Sequence, residues 1–226
     1  NSDISTKRSI DMRQTKINII DYGMGNLQSV RNALERVGCE VLISSNPATL
    51  TEADGLVLPG VGAFGEAMSN LHKRKLVEPL IREVLDEGKP LLGICLGMQL
   101  LADKSDERGF HEGLSLIPGQ VMAIPDLIGL HLPHIGWNDL SICMRNPLFI
   151  GLTDKSAFYF VHSYHFECDP AYISAITDYG VDITASVQRD HIFGVQFHPE
   201  RSQRKGLRLL RNFIDFVEMT TVLKES

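Results

Sequence analysis

Short apolar runs alternate with segments of helical periodicity in the first hundred residues, and this alternation constrains the fold more than any other feature. The runs are INIID (17–21), CEVLI (39–43), GLVLP (55–59) and LLGIC (91–95). After the first run, Leu27, Val30 and Leu34 recur at helical spacing, and a long helical region follows Gly62 as far as Glu87. Strands that alternate with helices in this way predict a parallel α/β sheet covered on both faces.

The second half of the chain has a different pattern. Three segments close together are rich in aromatic and β-branched residues: SAFYFVHSYHF (156–166), DITASVQRD (182–190) and HIFGVQF (191–197). They predict added, partly antiparallel strands, and a final helix is expected over about 203–218. The prediction is an α/β fold with a mixed, mostly parallel central sheet and helices on both faces. We expect a single domain over 17–226, preceded by a polar, flexible tail or extension at 1–16.

Composition narrows the functional classes. The formal net charge is −6, which argues against a dedicated nucleic-acid binder. No apolar run approaches the length of a membrane span, and the N-terminal residues lack the apolar segment of a signal peptide. Four cysteines among 226 residues are too few and too scattered for a disulfide framework. We therefore expect a cytoplasmic protein with no membrane partner and no nucleic-acid partner.

Cys95 is the most informative candidate for chemistry. It ends an apolar run within Gly93-Ile94-Cys95-Leu96-Gly97, the pattern of a nucleophile elbow between a strand and a helix. The glycines would let the chain turn sharply, and the amino end of a following helix would favour the thiolate. A buried structural cysteine after a strand is the alternative that the pattern leaves open.

His198 and Glu200 are the candidate base and its orienting carboxylate. They stand in His198-Pro199-Glu200, directly after the predicted strand HIFGVQF. A histidine just beyond a strand end can reach a cleft, and a carboxylate two residues later can bond its far ring nitrogen. An ordinary turn of the same composition is the alternative.

Two further motifs also suggest chemistry. In Pro59-Gly60-Val61-Gly62, backbone amides freed by glycine could stabilise an oxyanion. The segment 60–65 also fits the G-x-G-x-x-G dinucleotide fingerprint, but the next strand lacks the acidic residue that this fingerprint requires. The pairs His131/His134 and His162/His165 suggest metal ligands. However, residues three apart on a strand face opposite sides, so His162 and His165 cannot easily share an ion, and the sequence has no C-x-x-C. We expect neither a metal nor another cofactor.

Three of these segments together resemble the class I, triad-type glutamine amidotransferases: PGVGAF (59–64), GICLGMQLL (93–101) and GVQFHPE (194–200). Further segments narrow the resemblance to the glutaminase subunits of imidazole-glycerol-phosphate synthase, an enzyme of histidine biosynthesis. They are IDYGMGNLQSV (20–30), EGLSLIPGQV (112–121), PHIGWN (133–138) and YFVHSYHF (159–166). The resemblance covers the chain from about residue 17 to the C-terminal helix and implies a flavodoxin-like fold.

The resemblance also implies a role for each candidate residue. Cys95 would attack the side-chain amide of glutamine to form a thioester, His198 would move the protons, and Glu200 would orient His198. The oxyanion would be stabilised by the backbone amide of Leu96 and by one from Val61 or Gly62. The residues expected to contact the bound glutamine are Gly62, Gln99, Ser163 and Tyr164.

The implied partner is a (β/α)₈-barrel cyclase that forms a heterodimer with the glutaminase. There, ammonia would react with a phosphoribulosyl formimino carboxamide ribonucleotide to give imidazole glycerol phosphate and aminoimidazole carboxamide ribonucleotide. Arg201-Ser202 departs from the Lys-Ser frequent in the family, and Arg is not equivalent to Lys at a contact. Two alternatives are a paralogous glutaminase that supplies ammonia to a sugar-modifying amidotransferase for surface polysaccharides and a non-catalytic module on the same fold.

Overall fold

The computed structural model describes residues 13–126 and 129–225. The strands are β1 Lys16–Ile20, β2 Glu40–Ser44, β3 Gly55–Leu58, β4 Leu91–Ile94, β5 Lys104–Ser105, β6 His111–Glu112, β7 Gln120–Ala123, β8 His134–Asp139, β9 Ser141–Ile142, β10 Ala157–His162, β11 Tyr164–Glu167, β12 Ile173–Asp178, β13 Asp182–Arg189 and β14 Ile192–Val195. The α-helices are α1 Leu27–Arg36, α2 Thr49–Glu52, α3 Phe64–Lys73, α4 Val77–Leu85, α5 Leu96–Gln99 and α6 Gln203–Glu225.

The central sheet has eight strands in the order β2-β1-β3-β4-β14-β13-β12-β9. The pairings from β2 to β14 are parallel, and those from β14 to β9 are antiparallel. The sheet is therefore mixed, as predicted. Two smaller sheets accompany it, with the orders β10-β8 and β11-β7-β5-β6.

Apolar residues of the parallel strands are buried against helices on both faces of the central sheet. On one face, Leu56 and Leu58 of β3 join a core with residues of α3 and α4. On the other face, Val57 of the same strand joins a core with residues of α1 and α6. This alternation explains why the runs are continuously apolar, since both faces of each strand are covered. The predicted α/β fold class with helices on both faces is confirmed.

Two predicted elements are divided in the structure. The long helical region before Glu87 forms two helices, because Lys75 adopts a positive φ of 55° between α3 and α4. The segment 156–166 forms two strands that separate at Ser163. β10 pairs with β8, whereas β11 pairs with β7 in another sheet. Neither break contains a glycine or a proline, which are the residues that most clearly mark the end of an element in a sequence.

The expected tail falls mostly outside the described residues, but its last four residues are described. Lys16 opens β1, and Arg13 forms an ion pair with Asp54 at 2.8 Å. Thr15 donates a hydrogen bond to Glu218 in α6. Residues 13–16 thus contact the domain. In the part of the chain that the structure describes, no helix is both long enough and apolar enough to cross a membrane.

Candidate active site

Cys95 lies at a sharp turn that its flanking glycines make possible. It follows β4 directly, adopts φ 54° and ψ −111°, and is 5 % exposed. A Cβ added at Gly97 would lie 1.7 Å from the carbonyl oxygen of Leu58, and one at Gly93 would lie 2.7 Å from that of Gly97. Both positions therefore exclude any larger residue, as the elbow pattern predicts.

The helix behind Cys95 is much shorter than the elbow pattern leads one to expect. α5 has four residues, and the chain then turns towards β5. One helical turn aligns few peptide dipoles, so its electrostatic effect on the sulfur is smaller than that of a full helix. Other polar groups around Cys95 must therefore contribute more to stabilising a negative charge on the sulfur.

His198 lies close to Cys95 because β14 is the parallel neighbour of β4. The register pairs Ile94 with Val195, so both chains leave the sheet at the same edge. Nδ1 of His198 lies 2.8 Å from Oε1 of Glu200, and both side chains are buried. The structure thus brings together the three residues expected to form a triad.

The environment of His198 favours its charged form. Burial acts to lower its pKa, but hydrogen bonds to Cys95 and Glu200 outweigh burial and raise the pKa to about 10. A nucleophile–base pair needs this environment, because once the thiol proton has passed to His198 the imidazolium lies between the Cys95 thiolate and the Glu200 carboxylate, which both stabilise its charge.

A tyrosine that the sequence did not single out supports the turn at 59–62. The hydroxyl of Tyr22 donates to the carbonyl oxygen of Pro59 at 2.6 Å. A Cβ at Gly60 would lie 2.0 Å from that hydroxyl oxygen, so glycine is required there. Burial, together with the nearby Cys95, raises the pKa of Tyr22. The hydroxyl therefore stays protonated and continues to donate to Pro59.

A cavity of about 340 Å³ opens beside Cys95. Every residue that the sequence nominated for oxyanion or glutamine contact lines it: Val61, Gly62, Leu96, Gln99, Ser163 and Tyr164. Glu107 and Arg108, which the sequence analysis missed, line it as well. These two residues lie in the turn between β5 and β6, outside every motif of the sequence analysis. Only the folding of that turn against the cavity shows that they line it.

Gln99 has its amide nitrogen fully engaged. Nε2 donates to the carbonyl oxygen of Tyr164 and to Oε1 of Gln196, both at 3.0 Å. An amide nitrogen has two hydrogens, so the group that Gln99 can offer to a ligand is its oxygen. Gln99 is therefore suited to accept a hydrogen bond from a cationic amine.

A second cavity, of about 360 Å³, lies on the other side of the turn at 59–62. His198, Glu200 and Arg201 line it together with Asn26 and Pro59. Val61 lines both cavities, so the turn stands between them. The nucleophile is thus reached from one cavity and its histidine from the other.

The structure joins His134 to His162, one histidine from each of the two pairs considered as metal ligands. Nδ1 of His134 lies 2.9 Å from Nε2 of His162, whose Nδ1 is 2.9 Å from the carbonyl oxygen of Tyr164. Burial lowers the pKa of His134 to about 4 and that of His162 to about 3. Within residues 13–126 and 129–225, no three His, Cys, Asp or Glu side chains are grouped to hold a metal ion.

The glycine-rich segment 60–65 leads into α3, as a dinucleotide fingerprint requires, but a side chain of this protein already bonds the start of that helix. Oε2 of Glu107 accepts a hydrogen bond from the backbone N–H of Phe64 at 2.7 Å. A carboxylate at this position occupies the site where a phosphate would bind. The first backbone N–H of α3 is thus already engaged by a carboxylate.

Comparisons with known proteins show the family of this chain. Residues 18–216 match the family glutamine amidotransferase class-I. Two solved structures share the fold. PurLQS from Thermotoga maritima has a TM-score of 0.72 and 17 % identity, covering 90 % of this chain and 99 % of that one. A glutamine amidotransferase from Thermotoga maritima has a TM-score of 0.60 and 19 % identity, covering 92 % and 86 %.

Sequence relatives are much closer. Imidazole glycerol phosphate synthase subunit HisH 1 of Campylobacter jejuni strain RM1221 is 50 % identical over 198 residues, covering 88 % of this chain and 98 % of the relative. The HisH subunit of Moorella thermoacetica is 48 % identical over 202 residues, covering 89 % and 95 %. The chain belongs to the class-I glutamine amidotransferase family and, within it, to the group of HisH subunits.

Proposed function

We propose that this chain is the glutaminase subunit of an imidazole glycerol phosphate synthase and supplies ammonia to a cyclase in histidine biosynthesis. The observation that carries the proposal is the meeting of Cys95 with the hydrogen-bonded pair His198–Glu200 beside a cavity. Identity of about half of all residues to HisH subunits, along nearly their whole length, supports the pathway.

The triad carries the chemistry in this proposal. The thiol proton of Cys95 moves to His198, and the sulfur attacks the side-chain amide carbon of glutamine. The C–N bond breaks as His198 returns the proton to the departing nitrogen, which leaves as ammonia. His198 then takes a proton from water, which hydrolyses the thioester and releases glutamate. Glu200, 2.8 Å from Nδ1, keeps the ring oriented through both steps.

Glutamine would occupy the cavity beside Cys95. Gln99 presents its amide oxygen towards the substrate ammonium, because its nitrogen is engaged by Tyr164 and Gln196. Gly62, Ser163 and Tyr164 form the walls. The oxyanion of the tetrahedral intermediate would be stabilised by the backbone N–H of Leu96 and by one from Val61 or Gly62.

The cyclase would dock on the face formed by β8 and β10. Two large apolar side chains of β8 are exposed there, Ile135 at 59 % and Trp137 at 49 %. Trp137 packs edge-on against Tyr159, and the guanidinium of Arg201 lies 4.3 Å from the centre of the Tyr159 ring. Arg201 also lines the cavity that holds His198, so a heterodimer with a (β/α)₈-barrel cyclase would close on that side.

The alternative of a sugar-modifying partner is not favoured, because the relatives above are subunits of imidazole glycerol phosphate synthase. A cytoplasmic location belongs to the same proposal. It is consistent with four cysteines that are all unpaired in the structure.

The deciding experiment measures glutamate release from glutamine by the purified chain. The chain is assayed alone, and then with a histidine-pathway cyclase subunit and its ribonucleotide ligand. We expect the complete mixture to release glutamate much faster than the chain alone. We expect Cys95→Ala to release no glutamate in either assay. Retained activity in Cys95→Ala would refute the nucleophile. Absence of stimulation, with Cys95 still alkylated by a glutamine analogue, would refute the partner and leave the chemistry.

A further inference from the structure

Gln196 lies beside the nucleophile because of strand register. It follows Val195, the last residue of β14, as Cys95 follows Ile94, the last residue of β4, and these two end residues are paired. The backbone N–H of Cys95 also donates to the carbonyl oxygen of Val195 at 2.8 Å. The two side chains therefore leave the sheet at the same level, and Nε2 of Gln196 lies 3.7 Å from Sγ of Cys95.

The orientation of the Gln196 amide is fixed by its neighbours. The carbonyl oxygen of Tyr164 can only accept, so it holds the nitrogen end of Gln99. The second hydrogen on that nitrogen is donated to Oε1 of Gln196. The oxygen of Gln196 thus faces Gln99, and its nitrogen faces the sulfur. Gln196 is fully buried, so water does not compete for either end.

Neighbouring donors are committed elsewhere. The hydroxyl of Tyr22 donates to Pro59, and the backbone N–H of Leu96 donates to Gly60. The carbonyl oxygen of Val161, 3.8 Å from the sulfur, is an acceptor and repels a thiolate. The adjacent helix is a single turn. Within the described residues, two side chains form an N–H hydrogen bond with Sγ of Cys95: His198 and Gln196.

We infer that Gln196 is a further catalytic residue, whose side-chain N–H stabilises the thiolate of Cys95 after its proton has passed to His198. A hydrogen bond to an anionic acceptor is stronger than one to the neutral thiol, so the interaction favours the attacking form. The same amide fixes Gln99 in the orientation that presents its oxygen to the substrate. The inference rests on the proposed function for its substrate, but the effect on the thiol is independent of glutamine.

The test measures the rate of carbamidomethylation of Cys95 by iodoacetamide against pH, with mass spectrometry to resolve the four cysteines. Gln196→Glu keeps the acceptor for Gln99, removes the donor and adds negative charge beside the sulfur. We expect alkylation at pH 7 to slow about tenfold or more, with the profile displaced to higher pH. Gln196→Met removes the donor without adding charge and should cause a smaller change in the same direction.

Gln188→Glu is the matched control, because Gln188 is a half-buried glutamine of β13 that bonds Asp190 away from the site. It should leave the alkylation profile unchanged. Wild-type alkylation profiles in both Gln196 variants would overturn the inference, whatever happens to glutamine hydrolysis. If the wild-type chain instead fails to hydrolyse glutamine with the cyclase, the proposed function fails while the alkylation result still decides the role of Gln196.

Discussion

The backbone N–H of Leu96 donates a hydrogen bond to the carbonyl oxygen of Gly60 at 3.3 Å. This is the amide assigned to the oxyanion in the proposed mechanism. While it is bound to Gly60, it is not free to stabilise a tetrahedral intermediate. The turn at 59–62 must rearrange first, and Val61 at its tip is half exposed and accessible to a partner.

The free chain should therefore separate two reactions of the same thiol. Alkylation of Cys95 by iodoacetamide forms no oxyanion and should proceed at similar rates with and without the cyclase. Hydrolysis of glutamine needs the oxyanion donor and should rise by about 100-fold or more when the liganded cyclase is added. Parallel stimulation of both reactions would instead mean that the partner activates the thiol.

Gly97 should tolerate no side chain. A Cβ there would meet the carbonyl oxygen of Leu58 at 1.7 Å, and this backbone atom of β3 cannot move aside as the end of a flexible side chain can. Gly97→Ala should lower the free energy of unfolding by at least about 3 kcal/mol. Gly65→Ala is the control, because its Cβ would meet the half-buried ring of His111, which can move. Equal urea midpoints for the two variants would contradict the elbow geometry.

Glu200→Gln should reduce kcat by about 100-fold or more while the fold persists, because the ring of His198 loses its anionic partner at 2.8 Å. That carboxylate helps to raise the pKa of His198. Without it the imidazolium loses its proton at lower pH, so the alkaline limit of activity should move to lower pH. Glu52→Gln, an exposed carboxylate on α2, should change neither quantity. If Glu200→Gln left the alkaline limit where it is in the wild type, Glu200 would not be the group that stabilises the imidazolium of His198.

Stability should fall in mild acid because of the buried pair His134 and His162. Both are neutral in the folded protein, with pKa values lowered by burial to about 4 and about 3, from 6.5. Below pH 6.5 the unfolded chain binds protons that the folded chain does not, so stability is lost as the pH falls towards 4. His134→Asn should reduce the slope of this loss by about 1.4 kcal/mol per pH unit.

Urea unfolding between pH 7 and pH 5 provides the measurement for that prediction. His72→Asn, an exposed histidine on α3, is the control and should keep the wild-type pH dependence. A His134→Asn slope equal to that of the wild type would show that the pair does not remain neutral on folding.

Much of the fold could be predicted because its signals are local. The four apolar runs, the glycines that end the helices and the strand-turn pattern around Cys95 depend on covalent geometry and on burial of nearby side chains. The divided elements could not be predicted in the same way. Lys75 breaks a helical pattern with no proline or glycine at the break, and Ser163 separates two strands again without a proline or glycine.

The sequence by itself determined that Cys95 stands at a glycine-flanked turn and that His198 and Glu200 follow another strand. Only the tertiary structure decided that these strands are neighbours, that Gln196 faces the sulfur and that Gly60 engages Leu96. The reason is physical. Steric limits on a turn act over a few residues, whereas strand order and buried hydrogen bonds join residues from 36 to 101 positions apart and exist only once the sheet has formed.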